Sequence, residues 1–308
     1  MNGRRPARGY ALAAAGATMW SLNGTMAREL LDGGVGAARL AQLRSAGSWL
    51  ILAFALALAR RDLLRVDRAE LPSLALLGVV GLAGVHATYF LAIDRLQIGV
   101  AVTIQYLAPL LLLLWLRLVH GRRLAPSLWG AVGLSAAGCF LVVRAYDASS
   151  LDAVGVAAAF GAALTFAVYM VGSERAGQLH QPVTTLFWSF GFASLFWALV
   201  APWWRFPFER LDSAGDLLLA AGVVVVGTLL PFICVVAALR HIPAPRAAVV
   251  ATLEPVLAAV FAWVILGESL AVVQLVGGAA VLAAVIWVQA HRPDLEAELA
   301  PPSLRAAR

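Results

Sequence analysis

ATLEPVLAAVFAWVILGESL, residues 251 to 270, is apolar almost throughout, yet it carries Glu254 followed at once by Pro255. Earlier in the chain, residues 105 to 124 read QYLAPLLLLLWLRLVHGRRL. Both stretches hold a proline in mid-run and a glycine twelve residues later: Pro109 with Gly121, Pro255 with Gly267. The same offset of 146 residues sets Gly9 on Gly155, Leu107 on Leu253 and Leu124 on Leu270. Identity between the copies is sparse, so the spacing carries the signal of an internal repeat.

Working outward, apolar runs bounded by charges, Gly and Pro recur along the chain. They predict helices over residues 10–30, 36–58, 72–93, 98–118, 125–143, 152–171, 183–202, 216–239, 244–266 and 270–290. Each approaches the roughly 20 residues that cross a bilayer. The chain is 62% hydrophobic and 13% charged, beyond the roughly 45–50% apolar share of soluble domains, and its mean hydropathy is +0.85. The expected fold class is an all-α polytopic membrane protein with ten transmembrane helices and no room for a sizeable soluble domain. Five helices per copy is an odd number, so the second copy enters the membrane inverted relative to the first. Such inverted repeats build many secondary transporters, whose halves rock about a site at the midplane.

The expected organisation is an N-terminus over residues 1–9, a first five-helix repeat over 10–143, a linker over 144–151, a second repeat over 152–290 and a tail over 291–308. The tail, HRPDLEAELAPPSLRAAR, has the composition of a disordered end. The basic start and apolar body of the amino terminus resemble a signal peptide, but many equal spans follow, and an uncleaved first helix is expected. All 23 basic residues are arginine. Putting both termini in the cytoplasm leaves 16 of them inside and six outside, with Arg44 within the second span, which fits the positive-inside rule. The net charge of +6 is thus explained by topology, and nucleic acid is not an expected partner. Cys139 and Cys234 both fall inside spans, where they read as small buried hydrophobes.

These residues resemble those of the drug/metabolite transporter superfamily, EamA-type branch, over about residues 9 to 290. The resemblance is carried by TMWSLNGTMAREL in the first helix, by Arg44, and by FLAIDRLQIGVAVTIQYLAPLLLLL across the third and fourth. It is most specific in VVAALRHIPAPRAAVVATLEPVLAAVFAWVILGESL across the eighth and ninth. It implies ten helices in two inverted halves, cytoplasmic termini at the inner membrane, and a cavity lined mainly by helices one, three, four, six, eight and nine. It further implies export or exchange of amino acids or similar small metabolites. Ala108 stands where the first copy would match Glu254, so a role tied to a carboxylate belongs to the second half alone.

Glu254 lies about ten residues from either end of its predicted helix, near the midplane at roughly 1.5 Å per residue. A charge there costs at least about 2.5–3.5 kcal/mol, which makes it a functional candidate facing the interior. It either binds a substrate amine, exchanges a proton during the cycle, or serves structurally by capping backbone freed by Pro255. Pro109 and Pro255 each remove a backbone donor and kink their helix, and freed carbonyls at membrane depth are tolerated only where protein or a watery cavity meets them. The matched kinks point either to a shared central site or to simple shape-setting. Arg44 is either an anchor snorkelling to the outer interface or a clamp on a substrate carboxylate. Glu268, at the turn before the last helix, reads as a loop or capping carboxylate.

The remaining cavity candidates are polar and aromatic residues at helical spacing: Trp20 with Asn23, His86 with Tyr89, Thr165 with Tyr169, together with Gln105 and Tyr106. The repeat sets Trp20 on Phe166 and Asn23 on Tyr169. Each of these has an ordinary packing role as its alternative. Gly78, Gly81 and Gly84, and the pair Gly277 and Gly278, allow close helix approach.

No G-x-x-x-x-G-K-[ST] loop is present, which argues against ATP as energy source within this chain, and no cofactor or metal is expected. An intramembrane enzyme would need a nucleophile with a base or paired acids. The chain has no H-E-x-x-H, no G-x-S-x-G and no second midspan carboxylate. The expected function is secondary export of a small molecule across the inner membrane by alternating access, with the lipid bilayer as a further partner; coupling to protons through Glu254 and facilitated diffusion are both compatible with the sequence. A lipid-linked sugar flippase of the same superfamily is the alternative.

Overall fold

The computed structural model describes residues 5–96, 98–121, 124–147, 152–266 and 271–290. Glu268, Gly267, Leu270, Arg122, Arg123 and the tail 291–308 lie outside the described residues. The described chain is helical, without β-strands: α1 (Pro6–Asp32), α2 (Ala37–Ala59), α3 (Leu71–Leu76), α4 (Gly84–Arg95), α5 (Ile98–Gln105), α6 (Ala108–Leu118) and α7 (Pro126–Val142) come first. They are followed by α8 (Ala153–Leu179), α9 (Pro182–Val200), α10 (Ala214–Val224), α11 (Leu230–Leu239), α12 (Ala244–Ala251), α13 (Leu253–Leu266) and α14 (Val272–Ala290).

Local sequence accounts for the ends. Proline opens α1, α7 and α9, where its missing N–H has no intrahelical partner to lose. The Asp152 carboxylate accepts the Gly155 N–H at 2.7 Å and caps α8. Ser213 and Asp216 form a capping box on α10. After α1, Gly34 takes φ of +90°, and the Val35 N–H reaches back to the Leu30 carbonyl at 3.0 Å, the closing bond of a glycine-terminated helix.

Four of the predicted runs are irregular where continuous helices were expected, and they fall into two matched pairs. Between α3 and α4 the chain forms a π-helical segment, Leu77–Ala83, and between α10 and α11 another, Val225–Leu229. Under the 146-residue offset Gly81 meets Gly227, one inside each segment. The other two runs are broken: α5 gives way to α6 at Tyr106 and Leu107, and α12 gives way to α13 at Thr252. The offset sets Tyr106 on Thr252. Pro109 and Pro255, both buried, sit just past these breaks, where their rings exclude a continuous hydrogen-bond ladder. In the second π segment the Thr228 hydroxyl donates to the Val223 carbonyl at 2.8 Å.

By length and composition, seven helices among the described residues are able to cross a membrane: Ala37–Ala59, Arg68–Arg95, Val100–Leu118, Ala153–Leu179, Pro182–Val200, Ala214–Leu239 and Ala244–Phe261; Pro126–Val142 and Val272–Val288 are shorter and apolar. Large apolar side chains such as Phe54, Leu58, Leu199 and Leu218 are exposed, while Gln42, Arg44, Ser45, Ser48, His86, Ser135, Ser189 and Thr228 are buried. That distribution suits a lipid surround, which tolerates polar groups only inside the bundle. Arg246, which the positive-inside count puts on the cytoplasmic side, is fully buried on α12, whose first turn is capped by Glu174 accepting the Ala244 N–H at 3.0 Å.

The helices pair reciprocally. α1 packs on α11, α12 and α13, as α8 packs on α4, α5 and α6; α2 packs on α9 and α7 on α14. Glycine allows the closest approaches. A side chain at Gly138 would come within 2.7 Å of the Gly277 carbonyl oxygen, and one at Gly277 within 2.7 Å of the Gly138 oxygen.

Candidate functional site

The two helix breaks meet. The Tyr106 hydroxyl, at the break between α5 and α6, donates to Glu254 Oε2 at 2.6 Å, two residues past the break between α12 and α13. The carboxylate that has no counterpart in the first half is thus held by the first half's own break. At the second break, the Thr252 carbonyl is approached by the Cys139 thiol at 3.9 Å, and the Thr252 hydroxyl donates to the Val249 carbonyl at 2.6 Å.

A second constellation lies at the π segment between α10 and α11. Arg44, on α2, is 8% exposed, so its guanidinium is turned into the bundle and does not snorkel to an interface. Its Nε donates to Thr228 Oγ1 at 2.8 Å and its Nη2 to the Gly227 carbonyl at 3.1 Å. Glycine at 227 leaves room for Asn23 on α1, because a Cβ there would displace the Asn23 side chain. Asn23 is 9% exposed, and its Oδ1 has no hydrogen-bond donor among the described residues.

Asn23 and Arg44 thus meet at the second π segment, and Tyr106 and Glu254 meet where the two breaks face each other. Gln105 ends α5 directly before Tyr106. His86 is buried and stacks on Phe90 at 6.2 Å, and Tyr89 lies 5.9 Å from the same ring.

The other sequence candidates are engaged differently. Trp20 meets Phe232 edge-on at 5.2 Å and Phe166 at 6.5 Å, and Tyr169 meets Phe232 at 5.3 Å. Trp20 and Tyr169 thus share an aromatic cluster centred on Phe232. Thr165 donates to the Gly161 carbonyl of its own helix at 2.8 Å and faces Thr88 at 3.5 Å. Sequence reasoning passed over Gly227, Thr228, Thr88 and Phe232. Gly227 alone carried a usable signal, since the repeat sets it on Gly81.

Compared with known proteins, the model of the EamA-like transporter family matches residues 7–144 and 153–289. The chain belongs to the EamA-like transporter family. It is therefore a transporter of the drug/metabolite type, a multi-pass membrane protein. The two matched stretches of this EamA-family chain flank residues 145–152. Among its relatives is the threonine/homoserine exporter RhtA of Escherichia coli strain K12, 31% identical over 206 residues, 67% of each chain. An uncharacterized transporter of Archaeoglobus fulgidus is 28% identical over 226 residues, covering 73% of this chain and 78% of its own. The uncharacterized inner membrane transporter YicL of Salmonella typhimurium is 27% identical over 225 residues, covering 72% and 74%. One crystal structure superposes with a TM-score of 0.77 at 18% identity, covering 94% of this chain and 98% of its own; at that identity it speaks for the fold alone.

Proposed function

We propose that this EamA-family protein is a secondary transporter that exports amino acids or similar small metabolites across the inner membrane, by alternating access between two inverted five-helix halves. The halves are residues 10–143 and 152–290, joined by a linker over 144–151. Ten helices cross the bilayer, α1, α7 and α14 adding to the seven of sufficient length and apolarity, with both termini in the cytoplasm. The observation that carries the proposal is the Tyr106–Glu254 hydrogen bond, which ties the break of one half to the matching break of the other. Discontinuous helices meeting at the interface of inverted repeats are a recurring way to build a midplane substrate site. The matched π segments and the reciprocal packing of α1 and α8 support the same reading, since a pseudo-two-fold axis exchanges each pair. Support for an amino-acid substrate comes from the exporter RhtA.

Glu254 binds the substrate amine or exchanges a proton as the halves rock; imposing a pH gradient separates the two roles, because only proton exchange couples the gradient to accumulation. The test of the function itself is counterflow in proteoliposomes. Vesicles loaded with unlabelled threonine are expected to accumulate external labelled threonine transiently, and empty protein-free vesicles are not. If neither threonine nor any of a panel of free amino acids is exchanged, the amino-acid reading is wrong.

A further inference from the structure

The connection between α9 and α10, residues 201–213, reads APWWRFPFERLDS and carries an aromatic ridge outside the candidate site. Trp204 is 83% exposed and Phe208 62%. The ridge is held in place. At its start the Ala201 carbonyl accepts from Gln42 Nε2 at 2.6 Å and the Pro202 carbonyl from Arg39 Nη1 at 2.9 Å, which pins the loop to α2. Two short 3-10 turns follow, Trp203–Arg205 and Phe208–Arg210. Phe206 between them is buried, its ring 5.3 Å from that of Trp203 and 4.7 Å from that of Phe208. One buried ring thus plugs the loop into the bundle while Trp204 and Phe208 face outward.

Three features point to what covers them. Exposed apolar residues flank the ridge on both sides, Leu199 and Val200 at the end of α9, Leu217 and Leu218 in α10, so the ridge continues the surface that these helices turn to lipid. The backbone is prepared for an apolar neighbour: the N–H groups of Arg205, Phe206, Phe208, Arg210 and Leu211 all bond to carbonyls within the loop. Pro202 and Pro207 have no N–H to satisfy, and unpaired donors are what excludes loops from lipid. Arg205, next to Trp204, is exposed and has no ion-pair partner among the described residues.

We propose that the α9–α10 loop is a lipid-binding foot, with Trp204 and Phe208 seated at the boundary between headgroups and acyl chains and Arg205 on the phosphate of an anionic phospholipid. Indole suits that depth because its body is apolar and its N–H is polar. A guanidinium suits the phosphate by its planar fork of donors. The foot ties the α2–α9 pair to one membrane surface, since the same loop is hydrogen-bonded to α2.

The protein is reconstituted in phosphatidylcholine vesicles with or without bromine on the acyl chains near the glycerol, and the fluorescence of Trp204→Phe is subtracted from that of the wild type. The difference, which reports Trp204, is expected to lose most of its intensity in brominated vesicles and to resist aqueous iodide. Quenching by iodide and not by bromine would put the ridge in water and overturn the proposal. Quenching by neither, with a signal that changes with the protein-to-lipid ratio, would assign the ridge to a second copy of the chain and overturn it too. For Arg205 the readout is lipid preference: brominated phosphatidylglycerol is expected to quench Trp204 at an about fivefold lower mole fraction than brominated phosphatidylcholine. In Arg205→Gln the two lipids are expected to quench alike. A preference missing from the wild type, or surviving in Arg205→Gln, overturns the headgroup assignment. Replacing chloride by inorganic phosphate at equal ionic strength is expected to leave the preference in place; its loss would make Arg205 a site for free anions and sink the lipid assignment. The comparison of the two lipids uses the wild-type protein, so a variant that fails to fold does not protect the proposal.

Discussion

Replacing Glu254 with glutamine is expected to slow threonine exchange by roughly 10–100-fold while the protein remains folded. Glutamine keeps the size of the side chain and a carbonyl oxygen able to accept the Tyr106 hydroxyl, so the 2.6 Å contact between the two breaks survives. What is lost is the charge. A hydrogen bond to a charged group contributes about 1.5–3 kcal/mol, and about 1.4 kcal/mol is tenfold in an equilibrium or rate, which gives the stated range. Had the carboxylate only a structural task, capping backbone freed by Pro255, the amide would do nearly as well and exchange would barely change. Initial rates of counterflow, normalised to reconstituted protein, separate these outcomes.

The second large effect is on stability. Gly78→Ala is expected to destabilise the protein by about 1–3 kcal/mol, the usual penalty of overpacking. The added Cβ would overlap the Ser189 carbonyl oxygen and stand 2.9 Å from Phe192 Cβ and 3.1 Å from the Ser189 carbonyl carbon. The first of these is backbone of α9, which can only yield by moving the helix, together with its packing on α2. Gly133→Ala, on α7, is the control, since nothing lies within 4 Å of its Cβ and alanine favours helix over glycine by about 1 kcal/mol. Thermal unfolding in detergent should show a lower midpoint for the first variant and an unchanged or higher one for the second.

Much of the architecture could be read from apolar runs and turn residues, because lipid demands long, internally hydrogen-bonded spans and their composition is unmistakable. Pro109 and Pro255 likewise announced distortions at matched places. The form of the distortion was less legible. Each break falls shortly before the proline, at Tyr106–Leu107 and at Thr252, and the result is two helices where a kink in one was expected. The π segments had no local signature, since one extra residue in a helical turn changes no composition. Only the coincidence of Gly81 with Gly227 marked them. Arg44 could be found as an intramembrane base, but its direction could not: snorkelling outward and turning inward suit the same sequence, and the hydroxyl of Thr228 with the open carbonyl of a π turn supplies the reason for inward. Helical spacing puts Trp20 and Asn23 near one face of α1. It did not tell that Trp20 would pack on Phe232 while Asn23 would meet Gly227, because that choice is made by a helix two hundred residues away.

The most direct measurement is equilibrium binding of labelled threonine to the purified protein in detergent, for the wild type, Glu254→Gln and Gly133→Ala. A substrate site where the two broken helices meet gives saturable binding to the wild type and to Gly133→Ala, weakened at least about tenfold in Glu254→Gln. Equal affinity in the wild type and Glu254→Gln, or no saturable binding to the wild type, would contradict it.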